Sequence, residues 1–130
     1  MTLNGSEFHI HRIALGLSNA KLAKLLGKGA RTLASYEART FEPVPEVEEK
    51  LSTLLEEMTA KLEPLMALKA GSKATKTFWL YSTTDELHQA HPEEFGHWDI
   101  ETYREYLAHA IVLLKLKKIS YRILNPSADS

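Results

Sequence analysis

Cysteine is absent from the sequence, which removes disulfides, thiolate-ligated zinc and cysteine nucleophiles from consideration. Long apolar runs are absent too. No stretch approaches the roughly 20 residues that cross a bilayer, and residues 1–15 hold His9, His11 and Arg12 where a signal peptide has an apolar core. Neither an internal repeat nor a low-complexity tract is present. No nucleophile elbow, phosphate-binding glycine loop or close carboxylate pair stands out. The chain therefore does not read as an enzyme, and no cofactor is implied. The expectation these absences leave is a cytoplasmic soluble protein with no membrane partner. At 130 residues, 44% hydrophobic and 25% charged, there is room for one compact domain or two very small ones.

A formal net charge of −1 hides a segregation of sign. Residues 1–40 carry six basic side chains against two acidic ones, and residues 41–63 carry two against seven. The basic front is where an anion would bind.

Apolar periodicity predicts a first helix over 6–17, with Phe8, His11, Arg12 and Leu15 in step and Ile10, Ile13 and Leu17 widening the apolar side. Gly16 ends it. Ser18 is a good N-cap for a second helix over 19–26, which Gly27 stops. A short third helix follows within 28–37, with only Leu33 and Tyr36 obviously buried. Pro43 and Pro45 punctuate a connection. A long amphipathic helix begins near Pro45 or Glu46 and carries the stripe Val47, Leu51, Leu54/Leu55, Met58, Leu62 and Leu65. Pro64 is expected to kink or divide it. Beyond a polar turn at 70–76, residues 77–82 read as a strand, Thr84 to His91 as a brief helix, and Ile100 to Leu114 as a helix capped by Asp99. Residues 119–124 read as a second strand, and 126–130 as a frayed tail. The fold class is thus mainly α with a small α/β part, and the domains are 1–63 and 64–130.

Two short helices, a glycine-containing turn and a sparsely apolar third helix describe a helix-turn-helix. In such a motif the second helix of the pair enters the DNA major groove. Residue by residue, Gly16-Leu17-Ser18-Asn19-Ala20-Lys21-Leu22-Ala23-Lys24-Leu25-Leu26-Gly27 through Leu33 and Tyr36-Glu37 resembles the lambda-repressor/Cro-like (XRE) family. Tyr36-Glu37-Ala38-Arg39, then Val44-Pro45, Lys76 to Tyr81, Pro92, His97-Trp98 and a final helix look like the YdiL-like and anti-CRISPR-associated autorepressor group. Members of that group join a helix-turn-helix domain to a small C-terminal α+β dimerisation domain and act at an inverted repeat. The resemblance implies a homodimer on a pseudo-palindromic, double-stranded operator. It implies base reading by Arg31, Thr32 and Ser35, with Arg31 reaching a guanine edge. Phosphate contacts fall to Asn19, Lys28 and Arg39. Leu33 and Tyr36 belong to the core, and Glu37 to a cap or an internal ion pair.

Other constellations compete. His88, His91 and His97 with Glu93 and Glu94 contain zinc-ligating residue types, but their spacing fits no compact ligand motif, and no metal is expected. The aromatics Trp79, Tyr81, Trp98 and Tyr103 are expected to fill a small core and a subunit interface. The interface expectation covers Phe78, Trp79, Tyr81, Trp98 and Tyr103, and a ligand pocket is the competing use of the same rings. Beside the repressor stands a reading from another class, an antitoxin whose C-terminal half wraps a toxin partner.

Overall fold

The computed structural model describes residues 4–38, 45–96 and 98–126. Among them the chain forms α1 (Gly5–Ala14), α2 (Asn19–Leu26), α3 (Ala30–Glu37), α4 (Pro45–Met66), β1 (Lys76–Trp79), α5 (Thr84–Ala90), α6 (Ile100–Leu116) and β2 (Tyr121–Leu124). The fold is mainly α with a small two-stranded sheet. The chain divides into two compact units, Met1–Thr59 and Ala60–Ser130. The division falls inside α4, a few residues before the expected boundary at 63. No helix among the described residues is long and apolar enough to cross a membrane.

In the first unit, α1 starts on a reciprocal cap. Asn4 Oδ1 accepts from the Glu7 backbone N–H at 2.9 Å, and Glu7 Oε1 accepts from that of Asn4 at 3.1 Å. The helix ends at Ala14, three residues short of the expected 17, because Gly16 turns the chain with φ +68°. Leu15 and Leu17 lie beyond the helix yet are buried, and Arg12 ties the corner by donating from Nη1 to the Leu17 carbonyl at 2.7 Å. Ile10 and Ile13 do not widen the apolar side. They are 59% and 46% exposed, because at roughly 100° per residue they fall opposite Phe8. Edge-to-face packing of Phe8 on Tyr36, 5.5 Å between centroids, joins α1 to α3.

Ser18 caps α2 as expected, its Oγ accepting from the Lys21 N–H at 3.2 Å. Gly27 closes the helix in the left-handed region at φ +69°. That conformation lets the Lys28 N–H reach back to the Ala23 carbonyl at 2.9 Å. Pro45 opens α4, where a missing N–H costs nothing. Val47, Leu51 and Met58 are buried along its stripe. Pro64 does not divide the helix. The helix runs on through it to Met66, and the cost is the one bond that a Pro64 N–H would have donated to the Ala60 carbonyl. Residues 41–44 of the expected connection lie outside the described residues.

In the second unit, Leu65, Ala110, Leu114 and Ile119 form a buried cluster that Leu62, Leu68, Phe78, Leu113 and Tyr121 pack against. Lys117 Nζ donates to the carbonyls of Met66 and Leu68 at 2.5 and 2.6 Å, satisfying the end of α4. β1 and β2 pair in parallel, Lys76 opposite Tyr121 and Trp79 opposite Leu124, with α5 and α6 in the crossover between them. β1 stops at Trp79 rather than running to 82, since Tyr81 turns into the core instead of continuing the ladder. Phe95 anchors an aromatic cluster, its ring centroid 5.0 Å from Tyr103 and 5.2 Å from Trp98. Asp99 stands at the N-cap of α6, but its side chain makes no capping bond. Thr84 Oγ1 does the work, accepting from the Ile100 N–H at 3.0 Å and donating to Asp99 Oδ1 at 3.2 Å.

Candidate nucleic-acid interface

The pair α2–α3 consists of two eight-residue helices joined by residues 27–29. Sequence dictates how the second of them lies. Leu33 and Tyr36, three apart, occupy one face of α3 and are 0% and 4% exposed. Arg31, Ala34, Ser35 and Ala38 lie more than a quarter turn from that face, and Thr32 lies at its edge. Arg31, Thr32, Ala34 and Ala38 are exposed, and Ser35 is half-buried. The Ser35 hydroxyl donates to the Arg31 carbonyl at 3.0 Å. Its proton is thereby committed to the helix, and what Ser35 presents outward is acceptor capacity. Gly29 stands at the N-cap and offers no side-chain cap.

Of the residues expected to hold phosphate, Lys28 lies in the turn, half-buried at the entrance to α3, and Asn19 opens α2. Asn19 Oδ1 is buried with no hydrogen-bond partner among the described residues, so any contact it makes with an anion comes from its amide nitrogen. Arg39 lies outside the described residues. Arg31, Thr32, Ser35 and Lys28 therefore share one stretch of turn and helix, with Asn19 one helix away.

Two further features shape this face. Ser6, His9 and Ile10 of α1 line a shallow groove of about 620 Å³ with Ala34 of α3 and its C-cap Ala38, so the outer side of α3 is flanked by a largely apolar ledge. Phase relative to Phe8 was the available signal, and it was masked by extending α1 past Gly16. Arg12, the basic residue nearest in sequence, is turned inward. Besides its bond to Leu17, its Nη2 lies 3.2 Å from His9 Nδ1.

Of the aromatic residues expected to fill a small core and a subunit interface, three lie in the core of a single chain. Tyr81, Trp98 and Tyr103 are only 8%, 4% and 4% exposed within a single chain. Tyr103 Oη donates to the Trp79 carbonyl at 2.6 Å, and Tyr81 Oη lies 3.0 Å from His91 Nε2. These three side chains are spent on the core and have no surface to offer a partner. Phe78 and Trp79 are half-buried. Desolvation raises the Tyr103 hydroxyl well above the usual tyrosine range, assisted by Tyr81, Tyr106 and Glu94, and it raises those of Tyr81 and Tyr106 as well.

The histidines are dispersed. His88 Nε2 lies 2.6 Å from the Trp98 carbonyl, and His91 Nδ1 lies 3.6 Å from Glu94. His97 lies outside the described residues, and among those described no group of three ligating side chains converges. No family model matches the chain, and no curated protein matches it.

Proposed function

We propose that this chain is a homodimeric transcriptional repressor that binds an inverted-repeat operator through α3. The observation that carries the reading is the two-sidedness of that helix. Leu33 and Tyr36 anchor it from behind, while Arg31 stands exposed in front beside the small Ala34 and Ala38, with Thr32 exposed at the edge. A helix that enters the major groove needs this form: a thin outer profile and donors at its leading turn. Lys28 in the turn before α3 suits a phosphate contact, and residues 1–40 carry the chain's basic excess. An arginine in the first turn suits a bidentate contact to guanine O6 and N7. The Ser35 oxygen suits a base-edge donor such as an exocyclic amine.

Sequencing the duplexes that purified protein recovers from a random pool, at about 150 mM salt so that non-specific binding is suppressed, tests the reading. A pseudo-palindromic consensus is expected. Recovery of duplexes without any shared sequence would overturn it.

A further inference from the structure

Helix α6 is apolar on more sides than its own unit covers. Ile100, Thr102, Tyr103, Leu107, Ala110 and Leu114 turn inward and are buried, which is the single face an amphipathic helix ordinarily has. Yet residues 110–116 read Ala-Ile-Val-Leu-Leu-Lys-Leu. On the outer side Val112 is 56% exposed, and Leu116 at 76% is the most exposed large apolar residue among those described. Ala108, also exposed, lies one turn before Val112. Ala108, Val112 and Leu116 thus form a narrow apolar stripe that their own unit leaves uncovered.

The charges along that outer face indicate which neighbour. In the N-terminal half Glu105 is half-buried beside Arg104, whose Nη2 donates to the Ser82 carbonyl of its own unit at 3.5 Å; Lys115 lies in the last turn, and Lys118 just after it. A parallel copy would set lysine on lysine. An antiparallel copy sets each half against its opposite. With Val112 facing Ala108 of the second copy, Lys115 faces Glu105 and Leu116 lies along the aliphatic stem of Arg104. Two-fold symmetry makes each of these contacts twice. The small Ala108 side chain permits the close approach of packed helices, about 8–10 Å between axes. Glu105 lies 3.7 Å from His109 on its own helix, with a third of its side chain exposed, so the carboxylate remains within reach of a lysine from outside.

We propose that the outer face of α6 is the self-association surface, two copies pairing antiparallel through Ala108, Val112 and Leu116 with Glu105–Lys115 pairs at either end. The inference rests on the homodimeric part of the function proposed above and supplies the interface that Tyr81, Trp98 and Tyr103 do not. One 17-residue helix per copy is a small patch, so the expected dissociation constant is micromolar.

Sedimentation equilibrium of the full chain from about 1 to 100 μM is the test, with circular dichroism to verify that each variant keeps its helix content. Glu105→Lys places two like-charge pairs in the interface, and so does Lys115→Glu. Each alone should weaken association at least tenfold. Mixing the two variants restores unlike charges at both ends, and the mixture should form a heterodimer close to wild-type affinity. A wild-type chain that stays monomeric across the range, a dimer indifferent to both variants, or a mixture that remains monomeric would each overturn the assignment. Operator binding is scored separately. A dimer that passes these tests but prefers no DNA sequence keeps the α6 interface and loses the repressor reading. A chain that selects a DNA sequence while its charge-reversal pair fails to recombine does the reverse.

Discussion

Lys28 and Arg31 are three residues apart and one turn of backbone separates their proposed roles, so their alanine variants should differ in kind. If Arg31 reads a guanine, Arg31→Ala costs about 1–3 kcal/mol on the operator, relaxes preference at one base pair per half-site and leaves non-specific binding much less affected. Lys28→Ala weakens every sequence alike and lowers the salt slope by about one per contact removed. Titrations of both variants against operator and scrambled duplexes at several salt concentrations separate the two. Equal weakening of both duplexes by Arg31→Ala would move base reading to Thr32 and Ser35. Gly96 matters in another way, since a Cβ there would collide with the Pro92 carbonyl oxygen beside the central Phe95. Gly96→Ala should cost about 1–3 kcal/mol through forced backbone movement, visible as a lower thermal midpoint. Gly27 and Gly96 differ in how far the sequence discloses them. Gly27 follows an apolar helix and reads at once as its stop, whereas the constraint on Gly96 comes from a carbonyl whose approach no local pattern records.

Elements with a polar cap before them and a breaker after them were legible, α2 most of all. Where an expectation strayed, a boundary was the cause. Carrying α1 through Gly16 mixed Leu15 and Leu17, which are buried, with Ile10 and Ile13, which are not. At α6 the start was right and the agent was not, because Asp99 occupies the cap while Thr84, fifteen residues earlier in the chain, makes the bond. The aromatic residues show a different limit. Sequence marks Tyr81, Trp98 and Tyr103 as large and buried without saying whether by their own chain or by another. Their burial has a consequence in alkali. Desolvation keeps the Tyr103 proton bound in the folded chain, whereas the unfolded chain releases it near pH 10. Above that pH the folded state binds more protons, so stability is complete below pH 10 and declines as the pH rises further. Tyr103→Phe should be about 1 kcal/mol less stable at neutral pH for want of the bond to Trp79. Its decline above pH 10 should also be shallower. Denaturant melts at pH 8 and pH 11 compare the two slopes, and parallel curves would count against this origin.

At the scale of the molecule, two copies of α3 related by a two-fold axis should meet two major grooves on the same face of one duplex. The half-sites should then be centred about one helical turn apart, roughly 34 Å. Protection of a single asymmetric site by a dimer would contradict this geometry. The units also differ in the sequence span their contacts must close. α1, α2 and α3 succeed one another within a short stretch, whereas β1 finds β2 only after the whole crossover through α5 and α6 has been threaded. Closing the longer loop costs more chain entropy before any contact repays it. Helical signal from the first unit should therefore return early in refolding and the second unit should trail. The two tryptophans of the sequence are Trp79 and Trp98, both in that second unit. Tryptophan fluorescence, excited beyond the tyrosine band so that Tyr36 stays silent, is thus blind to the unit that carries α3 and follows only the slower one, so a lag of that signal behind circular dichroism in a stopped-flow trace would time the two halves of the chain separately without any label.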